Sequence, residues 1–337
     1  FNRQTITFPE VKFYLPTLRK GYTRFIPIWG NNETWAKNMN MFQYEEDIIL
    51  IDCWIQFAEP DMLWANCSIP DISFLIPYKK NIKGLVITHA HLDHIWALKH
   101  ILPALDFPVI YWTKLTLGII KKGLEENKLL SYQTLIEVDT NKTEKIKIWK
   151  FDCEFFRVNH SVPDCAWVYI TTPGWFSAVH TWDFKIDFAP EIDKPADLAR
   201  IWEYWRKGVT LFLSDSTWST RKWFSTSEKE IGATLEKIIA HHTKWRLIIT
   251  IFSSWISRVQ QIINACETYD KTVFLSWRSM VENVAISKEL GYVKAKPGLI
   301  KKMSPKTTAW IPLEKQVIIT TWSQWEEFSA LTRMAEW

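Results

Sequence analysis

The sequence predicts a two-part α/β protein, an αββα sandwich followed by a parallel α/β unit, and three observations carry that prediction. Up to about residue 195, strand-like apolar runs mix with helical patterns and antiparallel stretches, which fits two packed sheets with helices outside. Beyond it, strands and helices alternate with short links, the pattern of a parallel sheet. Between Gly84 and Leu102 a strand-like run opens directly into a helical pattern through the hexapeptide His89-Ala90-His91-Leu92-Asp93-His94.

Taken in order, Asp47–Asp52 reads as an apolar strand ending in an acid, Gly84–Thr88 as a buried strand and Pro108–Tyr111 as a short one. Apolar spacing at Ile95, Leu98 and Ile101–Leu102 predicts a helix over Asp93–Leu102, and Thr116–Glu126 a second. From Lys145 to Val158 the pattern turns to β, and Trp167–Thr171 and Phe176–Thr181 continue it. The later part predicts helices at Asp197–Lys207, Ser227–His241 (with Ser227 as cap), Ile256–Thr268 and Met280–Leu290. Strands are expected at Val209–Ser214, Arg246–Phe252, Thr272–Leu275 and Val317–Thr321.

A chain of 337 residues is long enough for two domains, and 47% hydrophobic with 23% charged residues is an ordinary globular composition. No apolar stretch approaches the roughly 18 residues a membrane span needs, and no signal peptide is visible. The chain begins at Phe1 rather than Met, so the absence of a signal peptide is weak evidence for localisation. Five cysteines, an odd number without C-x-x-C spacing, favour reduced thiols in a cytoplasmic setting. A net charge of +4 permits a polyanionic partner without demonstrating one.

The hexapeptide holds the chemistry. Three of the chain's 8 His fall within six positions together with an Asp. On an extended segment leaving a strand, His89 and His91 point the same way and can grip one cation, while Asp93 and His94 open the helix beside a second. Imidazole and carboxylate suit zinc, with manganese as an alternative, and two adjacent cations suit hydrolysis. Further ligands are expected at strand ends: His160 after the strand ending at Val158, and Asp183 after Phe176–Thr181. The expected arrangement gives one metal His89, His91 and His160, the other Asp93 and His94, with Asp183 bridging. His180, inside a strand, reads as a core histidine, and His100, His241 and His242 as helix-surface residues.

Composition holds one anomaly, Trp 21 against Gly 10. Trp29, Trp35, Trp218, Trp223, Trp277, Trp322 and Trp325 lie among polar residues in turn-like segments, where glycine is expected for its access to positive φ. An indole there should be strained, exposed or both.

The order of Asp52, H-x-H-x-D-H, His160 and Asp183 resembles the metallo-β-lactamase fold. Finer matches are Asn38-Met39 after Pro27-Ile28, Ile69-Pro70-Asp71-Ile72, His160-Ser161-Val162-Pro163-Asp164, Asp183-Phe184-Lys185, Ser214-Asp215-Ser216-Thr217, Arg278-Ser279-Met280 and Thr320-Thr321-Trp322-Ser323-Gln324. Together they resemble the β-CASP branch of that fold and, within it, ribonuclease J-like chains. The resemblance runs from about residue 24 to the end. It implies a metallo-β-lactamase domain over residues 1–210 and an incomplete β-CASP domain over 211–337, without the C-terminal return segment.

It also implies a ribonuclease using two divalent ions, zinc first with manganese or magnesium as alternatives, and hydrolysing RNA from the 5′ end and internally. Asp93, Asp183 and Asp215 would serve catalysis, with Asp215 orienting a ligand His or the attacking water. Arg278 and Ser279 would meet RNA phosphate, and Phe57 would stack a base. A cytoplasmic homodimer or homotetramer is expected, with no membrane association. Three readings stay open: a DNA nuclease, a small-molecule hydrolase, or a catalytically silent RNA-binding paralogue. Family histidines expected beyond the Thr320–Gln324 segment have no counterpart, which predicts a fragment with little or no activity. The resemblance expects glycine at Trp29, Trp35, Trp54, Trp64, Trp96, Trp112, Trp182, Trp277, Trp322 and Trp325, and an indole at Trp182 should crowd the metals.

Overall fold

The computed structural model describes residues 14–29, 38–57, 67–142, 144–217 and 219–321, without the side chains of Phe57, Leu92 and Asp93. The chain divides into two compact units: Phe1–Val158, Asp164–Phe184 and Asp197–Lys222 form the first, and Asn159–Pro163, Lys185–Ala196 and Trp223–Trp337 the second.

The first unit starts with three antiparallel strands, β1 (Thr23–Trp29), β2 (Met39–Tyr44) and β3 (Asp47–Ile51). A two-residue pair, β4 (Gln56–Phe57) and β5 (Cys67–Ser68), and a 3-10 turn at Ser73–Asn81 lead to β6 (Ile82–Val86). Two single turns, α1 (Leu92–Ile95) and α2 (Leu98–Ile101), precede β7 (Ile110–Trp112), and α3 (Lys114–Glu126) precedes β8 (Leu135–Glu137). The sheet order is β1-β2-β3-β6-β7-β8, parallel from β3 onward. A second sheet follows from β9 (Ile146–Ile148), β10 (Phe151–Arg157), β11 (Ala166–Thr171) and β12 (Ser177–His180). After α4 (Leu198–Lys207), β13 (Leu211–Leu213) joins β12 in parallel at its edge.

The two sheets pack face to face. Trp112 on β7 meets Phe155 on β10 at 5.4 Å between ring centroids, and Phe42 on β2 meets Phe176 at 6.2 Å. Gly84 leaves room for its neighbours, because a Cβ there would stand 2.9 Å from Cε2 of Tyr111 on the adjoining strand β7 and 3.1 Å from Cγ2 of Ile148 on the second sheet. On the outer face of the second sheet, α4 is anchored by buried Arg200, whose guanidinium donates to Phe155 O at 2.8 Å and Lys142 O at 3.0 Å. Tyr204 adds a bond from its hydroxyl to Glu154 at 2.8 Å. The αββα expectation is met.

The second unit runs α5 (Glu228–His241), β14 (Leu247–Thr250), α6 (Ile256–Thr268), β15 (Thr272–Leu275), α7 (Arg278–Glu289), β16 (Ile300–Lys302), α8 (Pro305–Thr308) and β17 (Gln316–Thr320). Its four strands are all parallel, in the order β14-β17-β15-β16. Ile256, Val259, Ile263, Val273, Val317 and Ile319 lie in one core, the helical spacing of α6 meeting alternate strand residues. Ser227 caps α5 as expected, accepting from Lys229 N at 3.3 Å.

Two expectations are corrected. The helix expected over Asp93–Leu102 is broken at Trp96–Ala97, because the backbone of Cys53 inserts there: Cys53 N donates to His94 O at 3.1 Å and Ala97 N to Cys53 O at 3.2 Å. Strands β1, β2, β4, β5, β8 and β16 add to those the sequence suggested. Trp35, Trp64, Trp218, Trp322 and Trp325 lie outside the described residues.

Candidate metal centre

In register, Ile51 lies opposite Val86, so the chains leaving β3 and β6 emerge side by side. Asp52 turns sharply there at φ 61, and its buried carboxylate accepts from Thr88 N at 2.9 Å and contacts His94 Nδ1 at 2.8 Å. Burial raises the Asp52 carboxyl above its ordinary range, and the adjoining His94 imidazole and the Thr88 amide oppose that rise. An ionised Asp52 accepts a hydrogen bond from the His94 Nδ1–H, which keeps the proton on Nδ1 and leaves Nε2 with the lone pair a metal needs.

The extended spacing brings His89 and His91 together as expected: His89 Nε2 lies 2.8 Å from His91 Nδ1. Thr88 Oγ1 holds His89 from behind, 2.8 Å from its Nδ1. The His89 ring also packs on that of His94, 4.1 Å between centroids. Asp183, just past β12, brings a carboxylate oxygen to 4.0 Å from His89 Nε2 and 3.8 Å from His94 Nε2. His89, His91 and Asp183 each offer one donor atom, all within 4.8 Å of one another.

A tetrahedral ion with arms of about 2.0–2.2 Å sets its donors about 3.3–3.5 Å apart. The observed separations of 2.8 to 4.0 Å straddle that value. Two imidazoles and a carboxylate at this spacing, with His89 buried, therefore fit a divalent metal.

Of the other expected site residues, Asp93 lies in α1 and Phe57 in β4, and both side chains are outside the described set. His160 sits on the five-residue loop Asn159–Pro163, which groups with the second unit. Asp215 is tied to the strand end that carries Asp183, its N–H donating to Thr181 Oγ1 at 3.0 Å, while its carboxylate accepts from Thr217 N at 2.8 Å. In the second unit Arg278 and Ser279 open α7, and the exposed Arg278 guanidinium pairs with Glu282 at 2.7 Å.

His180 is buried, with Asn40 Nδ2 at 3.2 Å from its Nε2, as befits a core histidine. Burial, reinforced by His94, pushes it down to about 3, so it is neutral at physiological pH. Trp182 sits at φ 52, its indole tilted by 33° against the His180 ring at 4.0 Å between centroids and donating to Ala166 O. The ring is therefore turned into the core between His180 and Trp112. Sequence reasoning missed Asp52 as the residue that orients His94, although the acid ending an apolar strand was its signal. It also missed Asn40, for which there was none.

Two sheets packed face to face, with imidazoles and a carboxylate gathered at strand ends, define the metallo-β-lactamase superfamily, and its family model matches residues 34–138. The "Ribonuclease J, beta-CASP domain" model matches residues 244–337. Proteins named Ribonuclease J align along almost the whole chain. That of Mycolicibacterium smegmatis is 35% identical over 321 residues, 95% of this chain and 56% of its own. That of Synechocystis is 33% identical over 313 residues, 93% of this chain and 48% of its own. The Thermus thermophilus protein is 34% identical over 319 residues, 93% of this chain and 54% of its own. The chain thus belongs to the ribonuclease J-like, β-CASP branch of the superfamily, and it spans about half the length of these curated relatives. Among solved structures, a protein of unknown function from Enterococcus faecalis shares the fold, with a TM-score of 0.55 at 15% identity over 86% of this chain and 74% of that one.

Proposed function

We propose that the protein is a metal-dependent ribonuclease that hydrolyses RNA phosphodiester bonds, from the 5′ end and internally. The observation that carries this reading is the donor cluster of His89, His91 and Asp183 in a chain whose relatives are named Ribonuclease J. In this reading His89, His91 and His160 hold one divalent ion, Asp93 and His94 hold a second, and Asp183 is shared. His160 is supported by its place in the chain, since residues of the first unit flank its short loop on both sides, Val158 before and Asp164 after. Zinc is the first choice from the donor set, with manganese or magnesium as alternatives.

Bound there, the cations would supply Lewis acidity and stabilise charge that develops on the phosphoryl oxygens. The chain's own residues do the rest. Asp52 holds the His94 ring in one orientation. One of the carboxylates Asp93 and Asp183 would accept the single proton that the attacking water gives up, and Asp215 keeps the Asp183 turn in place through Thr181. On the substrate side, Arg278 and Ser279 contact phosphate and Phe57 stacks a base. A cytoplasmic homodimer or homotetramer completes the reading; among the described residues no helix is long and apolar enough to cross a membrane.

The test is cleavage of 5′-monophosphorylated RNA, with DNA of the same sequence in competition and manganese or zinc supplied. Slow release of mononucleotides from the RNA 5′ end, lost with Asp183→Asn, is expected. A protein that loads metal yet cleaves the DNA in preference to the RNA would overturn the reading.

A further inference from the structure

Tryptophan occurs 21 times against 10 glycines, and the backbone shows what several of these positions require. Trp149, Trp182, Trp223 and Trp277 all lie at positive φ, at 55°, 52°, 84° and 82°. The first two occupy the left-handed helical region, which strains an L-residue but admits it. The other two lie farther out. Trp277, at φ 82° and ψ 141°, nearly repeats Gly208, at φ 83° and ψ 139°. There the Cβ meets its own backbone, and glycine is almost the sole occupant of such conformations in proteins.

The side chains offer little in return. Trp223 is 91% exposed and Trp277 44% exposed. A separate group of indoles is misplaced in the opposite sense. The N–H groups of Trp54, Trp112 and Trp167 are buried and meet no acceptor among the described residues. A buried tryptophan N–H normally finds a partner. Trp149, Trp223 and Trp277 strain the backbone without gaining full burial, Trp182 gains burial only on a strained turn, and Trp54, Trp112 and Trp167 gain burial without satisfying their donors.

We infer that the working protein carries glycine at positions 149, 182, 223 and 277, because the codon written there as tryptophan is read as glycine in the organism that makes it. The inference is independent of the ribonuclease reading. Its consequence at position 182 is that the turn delivering Asp183 needs no strained residue. At position 277, the start of α7 before Arg278 is freed of an indole.

Peptide mass spectrometry of the protein purified from its source cells decides the matter. Peptides spanning 223 and 277 should carry glycine, and tryptophan in those peptides would overturn the inference. A second arm uses the chain made by standard decoding and compares its Trp277→Gly and Trp277→Ala variants. Alanine keeps the Cβ and hence the strain, so the glycine variant should raise the folding equilibrium constant about tenfold over alanine and also exceed the parent. Equal stability of the two variants, or a loss with glycine, counts against the inference. Should the decoded chain fail to fold, the peptide masses alone decide between glycine and tryptophan.

Discussion

Around Glu228 in the second unit each buried charge faces an opposite one, whereas around His89 in the first unit ring nitrogens face one another. Lys185 Nζ lies 2.6 Å from Glu228 and 3.1 Å from Asp187, and Arg258 Nε lies 2.9 Å from Glu228. Asp187 also accepts from Glu228 N and from Ser227 Oγ, both at 2.8 Å. Such a network is complete in itself and ties the segment Lys185–Ala196 to α5 and α6. At the rim of the first unit, His89 and His91 approach to 2.8 Å, while the carboxylate of Asp183 stands 3.8 to 4.0 Å from two imidazoles. Distances of that order are too long for hydrogen bonds and about right for donors that share a cation. Buried polar clusters of similar size thus separate into a structural kind, closed by its own charges, and a ligand-seeking kind.

That contrast can be broken most forcefully at Glu228. Glu228→Ala leaves the partly buried Lys185 with Asp187 alone and takes the Glu228 carboxylate from Arg258, and should destabilise the second unit by about 3 kcal/mol in urea unfolding. Metal stoichiometry should not change. At the rim the expected result is reversed: Asp52→Asn should leave the fold intact and weaken metal affinity by roughly 10- to 100-fold in a chelator competition, since it frees the His94 ring. If Asp52→Asn unfolds the chain without first lowering metal affinity, the two clusters are of one kind.

Acid should act on the second unit with a defined sign. Burial opposes ionisation of Asp187, but the amides of Glu228 and Ala189, the Ser227 hydroxyl and Lys185 together bring it down to about 2, below its ordinary 3.8. For Glu228 burial again pulls upward, and the bonds from Arg258 and Lys185 outweigh it. Both folded values lie below the unfolded ones, so their contribution is whole above about pH 4.5 and fades as pH falls towards 2. Asp187 alone should account for roughly 2 kcal/mol of that loss, seen as a flatter acid limb of the stability curve in Asp187→Asn. The smallest effect belongs to the exposed pair of Arg278 and Glu282, where Glu282→Gln should shift stability by less than about 0.5 kcal/mol.

Local pattern explains what was legible in the sequence. The spacing of α6, the Ser227 cap and the alternation of the second unit depend on neighbours within a turn or two, and the structure has them where they were expected. His89 and His91 meet because two residues of extended chain make them meet. By contrast, β16 is three residues long with two lysines, and β1 contains Pro27, so neither presents a clear strand pattern. The partners that hold the rim are more distant still: Asp52 reaches His94 across 42 positions and Asn40 reaches His180 across 140. Nothing in a window of residues could have paired them. The break at Trp96–Ala97 belongs with these, since a helix cannot announce that Cys53 will replace its own bonds.

The Cys53 bridge also couples events usually treated apart. Its amide and carbonyl are bonded to His94 O and Ala97 N, and the neighbouring Asp52 holds the His94 ring, so the exit of β3 and the turns after β6 form one backbone unit. A fluctuation that opens this unit exposes the Cys53 and Ala97 amides to exchange with solvent deuterium and releases the His94 ring in the same step. The lifetime of a metal in such a site is then bounded by the opening rate of the polypeptide around it, and chelation and amide exchange should report one clock.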